Sequence, residues 1–135
     1  MHPLRLTYCG NVHAAADLAA VRAMLRTSVA PIAAAARQAG RAFGLGGYWP
    51  AAVAAELAEH AEARDRLRGW LDEVGAPLWT LNVFPYDGFH DQVVKTGVYR
   101  PDWGHEDRLA YTRQCAEVGA SLLPRGSELS LSTLP

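Results

Sequence analysis

No sign of charge dominates this chain. Thirteen Lys and Arg face 14 Asp and Glu, for a formal net charge of -1. That balance provides no general surface for polyanions, so nucleic acid and acidic membranes are poor expectations for a partner. Cysteine is scarce. Cys9 and Cys115 stand far apart, in no metal-binding or redox spacing. Both read as reduced thiols packed like small apolar residues. Long hydrophobic runs are missing: no stretch holds the ~20 uninterrupted apolar residues that span a bilayer. The alanine-rich stretch over residues 14–39 is interrupted by Asp17, Arg22, Arg26 and Arg37, and reads as a soluble helix, not a membrane span. Met1-His2-Pro3-Leu4-Arg5-Leu6 lacks the basic flank and apolar run of a secretory signal, so a cytoplasmic location is expected. Familiar catalytic punctuation is absent too. There is no P-loop, no Gly-x-Ser-x-Gly elbow and no zinc-finger spacing. Gly44-Leu45-Gly46-Gly47 lacks the dinucleotide spacing, which disfavours a Rossmann reading.

What is present is an alternation of strand-like and helix-like segments. Leu4-Arg5-Leu6-Thr7-Tyr8-Cys9 reads as a first strand ending at Gly10-Asn11. Residues 14–39 then read as helix, with Leu18, Val21, Leu25, Val29 and Ile32 on one apolar stripe. Pro31 removes a donor inside it, which predicts a kink or a split near Thr27-Ser28. Gly40 suits the left-handed residue that closes a helix. Residues 43–48 are short and glycine-rich, a weak strand or a loop. One helix is expected over residues 50–74, with Pro50 in its first turn and Gly75 at its end. Its charges Glu56, Glu59, Glu62, Arg64, Asp65, Arg66 and Arg68 read as a solvated face. Residues 78–84 give the clearest strand, β-branched and aromatic, stopped by Pro85. A long connection over residues 87–104 leads to a helix over residues 105–123, capped by Asp102 or Gly104. Residues 129–134 alternate as a fourth strand.

The chain is thus expected to be a single α/β domain over residues 1–135, built β-α-β-α-β-α-β with parallel strands. Two architectures fit, a doubly wound open sheet or part of a (β/α)8 barrel. At 135 residues the chain is too short for a whole barrel, which needs roughly 200 or more. In either fold, ligands meet the carboxyl ends of the strands. Asn11 and His13 fall there after the first strand, Tyr48 and Trp49 after the second, and Asn82, Tyr86, Asp87, His90 and Lys95 after the third. Ser130, Ser132 and Thr133 belong to the fourth. Asn11, His13, Asn82, Tyr86, His90 and Lys95 are the candidate ligand-binding set. Hydroxyls, amides, imidazoles and aromatic faces in this mixture suit a small polar ligand such as a sugar or polyol. Each has a bland reading: His13 and His90 as solvated loop histidines, Lys95 as an exposed lysine, Asn82 as a residue satisfied by a neighbouring strand end. Trp79 and Phe84 read as core. No glutamate ends a strand, and beyond His13, Asp87, His90 and Asp91 nothing supplies the converging ligands of a metal centre, so no metal-binding residues are expected.

Several long segments carry a family resemblance. Residues 6–13 (LTYCGNVH), 43–46 (FGLG) and 82–90 (NVFPYDGFH) begin it. Val94-Lys95, residues 98–103 (VYRPDW), residues 108–112 (RLAYT) and residues 129–135 (LSLSTLP) continue it in order. Together they resemble the amino-terminal part of the E protein of the Ebo metabolite-traffic operons, a family of the xylose-isomerase-like barrel superfamily. The resemblance implies the first half of a (β/α)8 TIM barrel and a role in handling a small secondary metabolite. The superfamily, with its sugar-phosphate isomerases and epimerases, implies sugar-like substrates and divalent metal. Its metal ligands lie largely on the later strands, which have no counterpart in these 135 residues. The expectation is therefore a truncated metabolite-traffic protein that binds without catalysis of its own. The alternatives are an isomerase- or epimerase-like enzyme whose metal site is completed by another copy or a second half-barrel chain, and an inactive gene fragment.

Overall fold

Strand-like and helix-like segments alternate along the sequence. The computed structural model, which describes residues 4–88 and 97–134, turns that alternation into one sheet backed by helices. The strands are β1 (Arg5–Cys9), β2 (Ala42–Tyr48), β3 (Leu78–Asn82) and β4 (Ser130–Ser132). They pair in the order β1-β2-β3-β4, and every neighbouring pair is parallel. The α/β class read from the sequence is the one observed. Among the described strands the order runs without a reversal. Each connection advances the same way across the sheet, so right-handed crossovers all lie on one face.

Residues 18–38 form one helical run: α1 (Leu18–Met24), a π-helical turn (Leu25–Val29) and α2 (Ala30–Gln38). Asp17 starts it, its carboxylate accepting the Ala20 N–H at 2.7 Å. A kink or a split was expected near Thr27-Ser28, and a π-helical turn interrupts the α-helix there. Pro31 stands in the first turn of α2, and the wider π turn before it accommodates the missing donor. The run buries Leu18, Val21, Leu25, Val29, Ala33 and Ala36. Its length and composition, with mean hydropathy 1.3, also pass the test for a membrane-crossing helix. A core helix passes the same test, and the buried stripe is what a core helix needs.

The helix expected over residues 50–74 is two helices, α3 (Ala51–Glu59) and α4 (Ala61–Val74). They part at His60, whose backbone is extended at φ -118° and ψ 107°. The break frees carbonyls at the end of α3, and Arg64 satisfies them. Its Nη1 donates to Leu57 O at 2.6 Å and to Ala58 O at 2.9 Å. Arg64, expected on the solvated face, is instead a half-buried clamp. Gly75 ends α4 in the left-handed region at φ 68°.

The weakest strand by propensity is the best buried. Every residue of β2 after Ala42 is buried, although three of the seven are glycine. Close packing explains the glycines. A side chain at Gly44 would collide with the Trp79 ring, and one at Gly47 would meet Leu78 at 2.8 Å on the opposite face. The last helix, α5 (Glu106–Leu122), covers β3 and packs on α3 and α4. No side chain caps it; Asp102 accepts the Gly104 N–H instead.

The two faces of the sheet differ. Leu45, Leu78 and Leu81 join the helices in one core. The other face carries Thr7, Gly46 and Thr80 side by side: a Cβ at Gly46 would lie 2.9 Å from Thr80 Oγ1 and 3.3 Å from Thr7 Cγ2. Ser130 continues this row beside Thr80, and Ser132 beside Asn82. Thr7, Thr80, Ser130 and Ser132 are all exposed. The edge strands are exposed on both faces. Leu6 in β1 is 39% exposed and Leu131 in β4 is 37% exposed.

Candidate functional site

Parallel strands bring their carboxyl ends to one rim, and the polar groups there fall into two clusters. The first is local to β1. Tyr8 Oη and His13 Nε2 are 2.7 Å apart, and their rings stack at 5.9 Å between centroids. Beside them the Cys9 thiol donates to Asn11 Oδ1 at 2.8 Å. The one-turn 3-10 segment Gly10–Val12 makes this possible by folding Asn11 and His13 back over the strand end. A Cβ at Gly10 would crowd the Gly46 carbonyl at 3.2 Å, so the segment sits tight on β2.

The second cluster joins β2, β3 and α5. Arg108 is completely buried. Its Nε donates to Pro101 O at 2.8 Å, and its Nη1 to Val83 O at 3.2 Å and Phe84 O at 3.0 Å. Its guanidinium lies over the rings of Tyr86 and Tyr111, 5.8 and 5.5 Å from their centroids. Among the described residues Nη2 has no hydrogen-bond partner. The Tyr111 hydroxyl is shared between Trp49 O at 2.7 Å and Pro85 O at 3.0 Å, which ties the end of β2 to the end of β3. Tyr48 adds a bond from its hydroxyl to Asp87 O at 3.1 Å. Burial, more than the nearby Asp87 and Cys115, pushes the Tyr48 hydroxyl up to about 12. Burial also raises Tyr111 well above the usual tyrosine range and pushes the Cys115 thiol up to about 12. These groups stay protonated at neutral pH. They hold carbonyls in place and are not poised to exchange protons.

The candidate residues divide accordingly. Asn11 and His13 sit together at the β1 rim. Asn82 lies two strands away, across Tyr48, at the spacing of roughly 5 Å per strand. Its Oδ1 accepts the Phe84 N–H at 3.2 Å and lies 3.5 Å from Ser132 Oγ, so that oxygen is engaged within the fold. Tyr86 faces inward, edge-on to Tyr111 at 5.3 Å, and burial raises its hydroxyl ahead of the effects of Asp107 and Asp87. Among the described residues no hydrogen bond joins the Asn11–His13 pair to Asn82 or Tyr86. His90 and Lys95 lie outside the described residues. Trp79 and Phe84 are half-buried: Arg5 stacks over Trp79 at 5.5 Å, and Tyr99 meets Phe84 edge-on at 5.4 Å.

Arg108 and Tyr111 were not evident as anchors from the sequence, though a signal existed. Arg108, Tyr111, Cys115, Val118 and Leu122 recur every three or four residues and are all buried. A permanent cation on the core stripe of a helix must bond inside the fold.

A separate open volume lies elsewhere among the described residues. A groove of about 780 Å³ lies at the amino ends of the strands, between Arg5, Arg68, Leu71, Trp79, Leu122 and Glu128. Side chains there come from helix ends and from the start of β1, and Arg68 is already bonded to Asp65 and Ser121 O. The amino end of such a sheet serves stability, so size alone does not make this groove the site. The divalent metal implied by the family resemblance does not fit the described rim. No three His, Cys, Asp or Glu side chains lie together among the described residues, and amides and hydroxyls are what the strand ends present.

Comparison with family models, curated proteins and solved structures gave no match.

Proposed function

We propose that this chain forms the first half of a (β/α)8 barrel and binds a small polar or sugar-like metabolite at the carboxyl rim of its strands, as a metabolite-traffic protein with no catalysis of its own. The observation that carries this reading is the open face of the sheet. In a filled barrel, branched apolar side chains dominate the interior. Here the corresponding positions are Thr7, Gly44, Gly46, Thr80, Ser130 and Ser132. The exposed hydroxyls of Thr7, Thr80, Ser130 and Ser132 offer a ligand hydrogen bonds, while the Trp79 ring covers Gly44 and the Thr7 and Thr80 side chains flank Gly46. Asn11 and His13 supply further donors and acceptors above that face, and Tyr8 supplies an aromatic surface beside them. The sequential strand order supports the barrel reading over the doubly wound one. A cytoplasmic location accompanies it.

Isothermal titration with a panel of sugars, polyols and sugar phosphates tests the proposal. A saturable signal that Thr80→Val weakens supports it. Silence across the panel from a protein with native circular dichroism contradicts it.

The Tyr8–His13 pair favours a second reading. An imidazole held 2.7 Å from a phenol is built to pass a proton, as an isomerase or epimerase completed by another chain would require. A bell-shaped pH dependence of aldose–ketose interconversion, lost in His13→Ala, would support it; no turnover by the assembled protein would exclude it.

A further inference from the structure

We propose that Arg108 anchors an anionic group at the carboxyl rim, so that the ligand carries an oxyanion whose oxygen takes the Nη2 nitrogen. The choice of ligand class rests on the reading of that rim as a metabolite site.

The charge balance around Arg108 points this way. The residue is permanently charged and completely buried. Buried charges are normally paired with an opposite charge. Among the described residues no carboxylate forms an ion pair with this one. Nε and Nη1 are occupied by three neutral carbonyls, those of Pro101, Val83 and Phe84. The N–H groups of Nη2 are left over among the described residues. A neutral donor could serve the carbonyls. The full charge and the unused nitrogen together suit an anion.

The surroundings agree. Arg108 stands in the first turn of α5, which no side chain caps, and the positive end of that helix adds to the field. Glu106 and Asp107 share the turn and oppose an anion, but both are exposed to solvent, where their field is screened. Two rings cover the guanidinium. Tyr111 is buried and tied to two carbonyls. Tyr86 is half-buried, and among the described residues no hydrogen bond holds its hydroxyl. Rotation of the Tyr86 side chain opens Nη2 to the rim. Because Nε and Nη1 already donate, the two-nitrogen grip on a carboxylate is closed. The anion is held at one nitrogen. Such a contact selects for charge and accepts a planar carboxylate or a tetrahedral phosphate.

NMR of the arginine side chains in the wild-type chain tests the anchor by itself. The Arg108 signals, assigned through their contacts with the Tyr86 and Tyr111 rings, are followed during titration with inorganic phosphate and, separately, acetate. A saturable shift is expected, and the anion that saturates first names the source. No saturable shift at millimolar concentration of either anion overturns the proposal. Calorimetry with sorbitol, gluconate and sorbitol 6-phosphate then tests the ligand class. An anionic probe is expected to bind about 10-fold more tightly than sorbitol, the effect of one charge-assisted hydrogen bond. Equal affinity for all three overturns the anchor and leaves the rim standing as a site for neutral ligands. A phosphate or acetate shift with silence from all three probes supports the anchor and counts against the sugar-like ligand instead. Tighter binding of an anionic probe that leaves the Arg108 signals unmoved places the anion elsewhere and overturns the proposal.

Discussion

The centre of the sheet and its edges are built on opposite terms. At the centre, the ends of β2 and β3 are tied by Arg108, Tyr111 and Tyr48, whose polar atoms hold five carbonyls beyond the strands and one loop carbonyl at Pro101. At the edges, β1 and β4 expose leucines on the face that the helices cover elsewhere. The contrast separates two jobs. The centre sets the positions of the strand ends, and the edges carry little of the buried core.

Substitutions should therefore cost most at the centre. Arg108→Ala leaves the Val83, Phe84 and Pro101 carbonyls without their donor and opens a cavity beside Tyr86. A loss of about 3–5 kcal/mol is expected in urea unfolding, because three carbonyls lose a charge-assisted donor at once. A loss below about 1 kcal/mol would mean that the carbonyls find other donors. Gly44→Val drives a branched side chain into the Trp79 ring and should cost about 1–3 kcal/mol through overpacking, read by the same titration. Tyr111→Phe keeps the ring and removes the hydroxyl from two carbonyls; about 1–3 kcal/mol is expected.

The centre should also respond to alkali. Cys115 and Tyr48 have folded values raised to about 12 from ordinary values of 9.0 and 10.0, and Tyr111 is raised as well. A raised acid favours the folded state fully below its unfolded value and loses that contribution as pH climbs through the folded one. Stability should hold up to pH 9 and then fall, first by about 1.4 kcal/mol per pH unit for the one thiol. Cys115→Ala should move the onset from pH 9 towards pH 10. An unchanged onset in that variant would assign the alkaline loss to other groups. At the edges, Leu131→Lys should change unfolding of the monomer by no more than about 0.5 kcal/mol. A large loss there would erase the distinction between the two regions.

The sequence exposed the alternation of elements better than their interiors. β1, β3, β4 and α5 follow from periodicity and from turn residues. β2 was ambiguous because glycine weakens local strand preference, and its order comes from Trp79, Leu78 and Leu81 pressing from both faces. The break at His60 was hidden in a segment of good helix formers, since only tertiary contact reveals that Arg64 satisfies the freed carbonyls. Pro31 signalled a fault in the helix, a kink or a split, and a π turn is the form it takes. At the rim, Asn11 and His13 are neighbours in sequence and in space. Asn82 was conspicuous as a polar residue in an apolar strand, yet its oxygen serves Phe84 and Ser132. Arg108 had no reading of its own in the sequence, and its place on the buried stripe of α5 is the signal that marks it.

Residue-resolved hydrogen exchange on the wild-type chain and on Leu131→Lys sets centre against edges most directly. The amides of β2 should be slow and equal in both proteins, while those of β1 and β4 should be faster in both. Protection at β1 and β4 as strong as at β2 would contradict the division between centre and edges.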